Sequence, residues 1–233
     1  MNRVASNIQS IREKIAGAAA ECGRSAEDIT LLAITKTFAI EAISQAADAD
    51  VRRFGENRIQ EAEGKILHFR EHLDLEWHLV GHLQTNKARR AAELFDVVHS
   101  IDSIRIAAKL NQACLEIGKK LSVLLQVDLG NEETKFGVAP VQVREIVEAL
   151  SQLQGLRLDG LMTIPPFFED QDEARPFFAR LRKIKEGLES EQSGCLGQQH
   201  LSMGMSHDFE AAIREGATIV RIGTAIFGPR RYD

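Results

Sequence analysis

Lys36 stands at the polar end of the apolar run Ile29-Thr30-Leu31-Leu32-Ala33-Ile34-Thr35-Lys36. An amine at the carboxyl end of a buried strand is partly desolvated. Desolvation lowers its pKa and frees the lone pair that a Schiff base requires. Most lysines that end strands are solvated or salt-bridged, so this position gains meaning only from the residues around it. Two further segments offer a second kind of chemistry. Small and hydroxylic residues in Ser202-Met203-Gly204-Met205-Ser206 and in Gly223-Thr224 let backbone N–H groups approach an anion, while hydroxyls add hydrogen bonds. Ser206 falls near the start of a helical pattern through Phe209, whose dipole favours an anion. The same residues also read as ordinary N-caps and turns. Arg221 lies two residues before Gly223, so the two share a face in a strand of period two. A buried arginine needs an acceptor. A carboxylate such as Asp128 or Glu56 is one choice, and the ring nitrogen of an aromatic phosphate ester is the other.

Histidine spacing raises a metal-dependent alternative. His78 and His82 are four apart, as are His68 and His72. The first pair spans a strand end, where that spacing does not converge on one ion. The second sits on an exposed helical pattern with no third ligand in view, so no metal site is expected.

The elements that must position these residues alternate along the chain. An amphipathic helix over residues 3–22 carries Val4, Ile8, Ile11 and Ile15 on one face. Eight short β-rich runs follow: the one ending at Lys36, then Arg52–Gly55, Glu76–Gly81, Phe95–Ser100, Ser122–Asp128, Leu156–Thr163, His200–Met205 and Thr218–Gly223. Helical patterns separate them, through Ile40 and Ile43, over residues 56–71, 87–94, 103–117, 141–153 and 171–188, and through Phe209 and Ile213. Ser103 is a good N-cap. This alternation predicts a (β/α)8 TIM barrel. An open doubly wound sheet would alternate in the same way, but the first strand lacks the GxGxxG turn of its dinucleotide-binding version. No linker, repeat or low-complexity tract interrupts the pattern, so a single domain over residues 1–233, with an extra N-terminal helix, is expected.

Composition bounds the function. At 233 residues, 44% hydrophobic and 27% charged, the chain has an ordinary globular make-up. A formal charge of −5 argues against a general nucleic-acid or anionic-membrane binder. No apolar stretch approaches the roughly 20 residues of a bilayer span, and the N-terminus lacks a signal peptide's apolar core. Cys22, Cys114 and Cys195 are scattered and odd in number, which suits reduced thiols. A cytoplasmic location is expected. Lys119-Lys120 reads as a solvated helix end and Arg89-Arg90 as helix surface. Phe167-Phe168 and Phe177-Phe178 read as the core face of one long helix and its entry loop.

In a barrel, chemistry sits at the carboxyl ends of the strands, and here the unusual residues follow the strands. Lys36 ends the first, Gly55-Glu56-Asn57 follow the second, and Gly81-His82 the third. Ser100-Ile101-Asp102 follow the fourth, Asp128 the fifth, and Thr163-Ile164-Pro165 the sixth. Ser202 to Ser206 close the seventh, and Gly223-Thr224 the eighth, where phosphate sites lie in this fold. The polar loop from Gly130 to Gly137 is expected to be mobile at the same mouth.

Segments from nearly the whole chain resemble one family. They are LLAITKT (31–37), FGENRIQ (54–60), WHLVGHLQTNK (77–87), Ser100-Ile101-Asp102, Gln126 to Asp128, GLMTIP (160–165), LSMGMS (201–206) and VRIGTAIFG (220–228). In this order they resemble the YggS/PROSC family of pyridoxal phosphate homeostasis proteins, which share a barrel with the N-terminal domain of alanine racemase (fold type III). The resemblance implies pyridoxal 5′-phosphate (PLP) held as a Schiff base on Lys36. It implies that Arg221 faces the pyridine nitrogen and that Ser206, Gly223 and Thr224 hold the phosphate. Asn57 is expected beside the cofactor, with Ser202, Met203 and Met205 as pocket walls. Two positions depart from the family pattern near the mouth: Arg58 replaces a usual tyrosine, and His82 a frequent proline.

An arginine against the ring nitrogen donates without yielding its proton, and its charge disfavours protonating the ring. The ring is then a weaker electron sink than one held by a carboxylate, which disfavours transamination and decarboxylation. Racemisation needs acid–base groups on both faces of the substrate carbon. Lys36 serves one face; alanine racemases take the other group, a tyrosine, from a partner subunit's second domain, the C-terminal β-domain. This chain's single tyrosine is Tyr232, and no such β-domain is expected. The expected function is therefore intracellular PLP homeostasis, in which the cofactor is sequestered, buffered or delivered without robust catalysis. PLP-dependent apoenzymes are the expected partners and a monomer the expected state. The alternative is a PLP-dependent amino-acid racemase using His82, His78 or His200 as the opposite group.

Overall fold

Each β-rich run becomes a strand of one parallel sheet that closes on itself. In a computed structural model that describes residues 3–71, 73–130 and 136–229, the strands are β1 (Thr30–Ile34), β2 (Arg53–Glu56), β3 (Glu76–Leu79), β4 (Val97–Ile101), β5 (Leu121–Gln126), β6 (Leu156–Met162), β7 (His200–Met205) and β8 (Ile219–Ile222). His72, residues 131–135 of the polar loop and Tyr232 lie outside the described residues. The sheet is closed by β8 pairing with β1, Leu32 opposite Arg221, so the open-sheet alternative is overturned.

Helices wrap the strands: α1 (Arg3–Glu21), α2 (Ile40–Asp48), α3 (Ile59–Phe69), α4 (Ala88–Leu94), α5 (Ile104–Glu116), α6 (Val143–Ser151), α7 (Arg175–Glu191), α8 (Phe209–Arg214) and α9 (Thr224–Phe227). The leading helix buries Val4, Ile8, Ile11 and Ile15, as its periodicity requires, against α2, α8 and α9. Ser103 caps α5 by accepting from Ile106 N at 3.4 Å. Residues 171–174 form a tight 3-10 turn, and α7 starts only at Arg175, with a proline in its first turn where the missing N–H costs nothing.

Strand alternation splits the apolar residues into two cores. Leu32, Ile34, Val80, Leu124, Met162 and Ile219 fill the barrel interior. Their neighbours, among them Ala33, Leu125, Leu161, Met203, Val220 and Ile222, face the helical layer.

Three details differ from expectation. The first strand stops at Ile34, two residues before Lys36, which begins a turn. Lys119 is not a solvated helix end: Gly118, at φ 67°, turns the chain back, and Lys119 Nζ donates to the Ala92 and Phe95 carbonyls at 3.0 and 2.6 Å. It thereby satisfies the carboxyl end of α4, and burial pulls its pKa down. Phe178 joins the core, but Phe167 is 79% exposed, carried outward on the loop after β6 beside the His207 ring.

Candidate functional site

The loop carrying Lys36 is built from behind. Beyond β1, Thr35 N donates to Gly55 O at 3.0 Å, and Thr35 turns its hydroxyl outward to Glu56 Oε1 at 2.7 Å. Lys36 follows in the turn at the carboxyl end of β1 and is half-buried at the mouth. Lys65, from the buried face of α3, donates to Thr35 O and Glu56 Oε1 at 2.8 Å each, and to Glu61 Oε1 at 2.9 Å. Glu61 in turn accepts from Thr37 N. Thr37 occupies the left-handed region at φ 67°, a conformation that costs a threonine about 1–3 kcal/mol unless its surroundings impose it. Both neighbours of Lys36 are therefore fastened to one helix.

Sequence reasoning missed this cluster. Its only trace was a lysine among the apolar residues of the helix after the second strand, four residues past a glutamate. Glu56 is fully buried, and burial holds its carboxyl above the usual range, against the opposing pull of Lys65. It points to α3, so it is not the partner of Arg221.

Arg221 is 4% exposed and shares the interior face with Ile219. Its Nη1 donates to Ser202 O at 2.7 Å and Ser202 Oγ at 2.8 Å, and its Nη2 to Thr163 O at 2.8 Å. Among the described residues no carboxylate bonds to it, neither Asp128 nor Glu56. Burial lowers its pKa to about 10, opposed by the charge of Asp208, so it remains a cation at neutral pH.

Between Ser202 and Met205 the β7–β8 register slips by one residue: Ser202 pairs with Ile219 and Met205 with Arg221. Gly204 makes the bulge possible. Its φ is 88°, and a Cβ there would lie 2.6 Å from Ala212 Cβ. Two consequences follow for the expected pocket walls. Met205 emerges at the mouth, whereas Met203 packs into the helix-facing core. The Met203 side chain is therefore not a wall of the mouth.

After the bulge, Ser206 meets the start of α9 rather than the start of α8. Its Oγ accepts from Gly223 N and Ala225 N, both at 3.2 Å. Four residues are too few to show helical periodicity, which is why α9 escaped the sequence reading. Thr224, its first residue, is exposed.

On the other flank, Asn57 is half-buried after β2. A Cβ on Gly81 would sit 2.2 Å from Asn57 O, so only glycine lets the loops after β2 and β3 touch. They border an open cavity of about 640 Å³ that Asn57, Arg58, Glu61, His82, Gln84 and Lys87 line, so both departures from the family pattern face one space. His82 Nδ1 is 3.0 Å from Asp102 Oδ2, and its ring stacks on Phe136 at 3.6 Å.

In the closed order, β7, β8, β1 and β2 are contiguous. Ser206, Arg221, Gly223, Lys36 and Asn57 therefore form one arc of the carboxyl-end mouth. His78 and His200 do not join it. They line a cavity of about 460 Å³ at the amino ends of the strands, with Arg53, Glu76 and Asp159.

This architecture is that of the alanine racemase N-terminal domain class, whose family profile matches residues 1–231. The pyridoxal phosphate homeostasis protein of Escherichia coli strain K12 is 44% identical over 235 residues, spanning 100% of this chain and 99% of that protein. Its counterpart in Aquifex aeolicus is 40% identical over 225 residues, 97% of each. Among solved structures, PipY of Synechococcus elongatus PCC7942 with PLP bound is 38% identical, with a TM-score of 0.85 over 97% of this chain and 100% of that chain. Alanine racemase of Clostridium difficile 630 shares the fold at 20% identity, with a TM-score of 0.68 over 99% of this chain and 58% of the racemase. The chain belongs to the pyridoxal phosphate homeostasis protein family.

Proposed function

We propose that this chain binds PLP at the carboxyl-end mouth of the barrel and holds the cofactor for other proteins, without robust turnover. The observation that carries the reading is Arg221, a buried cation on the interior face whose anchors are carbonyls and a hydroxyl rather than a carboxylate. The donors along the arc fit the acceptors of PLP in order. Ser206 with the Gly223 and Ala225 amides suits a phosphate, Arg221 a pyridine nitrogen, and Lys36 an aldehyde, with Thr224, Ser202, Met205 and Asn57 around them. When bound, PLP supplies the aldehyde that a deprotonated lysine amine captures as a Schiff base.

The protein's own residues limit what else happens there. Arg221 donates to the ring nitrogen but keeps its proton at neutral pH, which leaves the ring a poor electron sink. His78 and His200 open on the opposite mouth, and His82 is paired with Asp102. These positions support binding over racemisation. The proposal extends to a one-domain monomer serving a cytoplasmic PLP pool with PLP-dependent apoenzymes as recipients. No described helix is long and apolar enough to cross a membrane.

Adding PLP, reducing with borohydride and mapping the peptides tests the reading. Label is expected on the peptide carrying Lys36 and is lost in Lys36→Ala. Label on another lysine, or none, refutes it.

A further inference from the structure

A line of hydrogen bonds crosses the barrel core from the carboxyl-end mouth to the amino-end cavity. Arg221 Nη1 donates to Ser202 Oγ at 2.8 Å, and His99 Nδ1 lies 2.9 Å from the same oxygen. His99 Nε2 is 2.8 Å from His78 Nδ1, and His78 Nε2 is 3.0 Å from Glu76 Oε1. Ser202 and His99 are fully buried, and Glu76 borders the amino-end cavity.

With both imidazoles neutral, the two ends fix the direction of every link. A guanidinium only donates and a carboxylate only accepts. Ser202 Oγ is therefore the acceptor for Arg221, and its own proton goes to His99 Nδ1. A neutral imidazole accepting at Nδ1 carries its proton on Nε2, where His99 gives it to His78 Nδ1. The same logic places the His78 proton on Nε2, facing Glu76. All four links are satisfied with both imidazoles neutral. The electrostatics agree. Burial, with the Arg221 charge nearby, holds His99 well below the usual histidine pKa. The hydrogen bond from His78 holds the Glu76 carboxyl at about 2, so it is an acceptor near neutral pH.

We propose that this chain positions Arg221: Ser202, His99 and His78 hold the guanidinium as a donor toward the cofactor's ring nitrogen, so that His78 and His99 tune a site they do not touch. The positioning role rests on the PLP reading above, whereas the chain itself does not.

Two measurements separate them. Long-range 1H–15N imidazole correlations on the cofactor-free protein report tautomers directly. Both His78 and His99 are expected as neutral Nε2–H forms, and an Nδ1–H form or an imidazolium at His99 overturns the chain. PLP titration of His99→Leu and His99→Gln then tests the role. Glutamine carries one acceptor and one donor at about the spacing of the ring nitrogens. The leucine variant is expected to bind PLP about tenfold more weakly, the loss of one hydrogen bond to a charged group's anchor, with a shifted absorbance band of the bound cofactor. The glutamine variant is expected to restore both. Unchanged affinity and band in His99→Leu overturns the role. Should that variant not fold, Glu76→Leu and Glu76→Gln repeat the comparison at the far end, with only the leucine expected to weaken binding, and equal binding by both overturning the role. A wild-type protein that takes up no PLP overturns the function and the positioning role together, while the tautomers still report the chain.

Discussion

Removing the ammonium of Lys65 isolates the support of the Lys36 loop. Lys65→Met keeps the apolar stem but leaves Glu56, whose side chain is 0% exposed, with one bond from the Thr35 hydroxyl and with Oε2 already unpartnered. Deleting one member of a buried pair typically costs about 3–5 kcal/mol. For a chain of this length that lowers Tm by about 6–20 °C. The penalty depends on pH, with a sign set by Glu56. Burial already holds its folded pKa above the unfolded value, and losing Lys65 raises it further. A folded state that binds extra protons loses stability as pH rises from the unfolded carboxyl pKa towards the folded one. The variant's deficit is therefore larger at pH 8 than at pH 5. Denaturant unfolding at both values measures it, and Glu56→Gln added to Lys65→Met is expected to recover most of the loss. A deficit below about 1 kcal/mol, or one equal at the two pH values, refutes the reasoning.

Three more outcomes are expected. Ser206→Ala removes the hydroxyl gathered by the Gly223 and Ala225 amides, weakening PLP affinity about tenfold but leaving affinity for unphosphorylated pyridoxal unchanged, which parallel titrations compare. Gly81→Ala drives a methyl into the Asn57 carbonyl and is expected to cost about 1–3 kcal/mol in denaturant unfolding and to lower PLP affinity. Lys119→Met leaves the Ala92 and Phe95 carbonyls without their cation and is expected to cost about 1–3 kcal/mol, read as faster amide exchange at the end of α4.

The barrel was legible because most strands are short apolar runs and the longer helices repeat every third or fourth residue. Boundaries drifted where polar side chains decide them. Thr35 continues the apolar run of β1 by pattern, yet its hydroxyl turns to Glu56 and ends the strand. Within the candidate site, the placement of Lys36, Arg221, Ser206 and Gly223 was legible because each lies at or just after the end of a recognisable strand. Met203 could not be told from Met205, since the two share a face in an unbroken strand and only the one-residue bulge separates them, and Gly204 was its only hint. The line from Glu76 to Arg221 needs the relative heights of β3, β4, β7 and β8. No local pattern encodes a contact between His99 and Ser202, which lie 103 residues apart.

The fastening of Thr35 and Thr37 to α3 runs through their backbone atoms to Lys65 and Glu61, and it uses no atom of Lys36. Chemistry at the Lys36 amine need break none of these bonds. Under the proposed carrier role, the grip on the cargo could loosen while the bonds beneath the amine stay in place. Loading and unloading would then be matters of chemistry at one nitrogen, with no loop to refold.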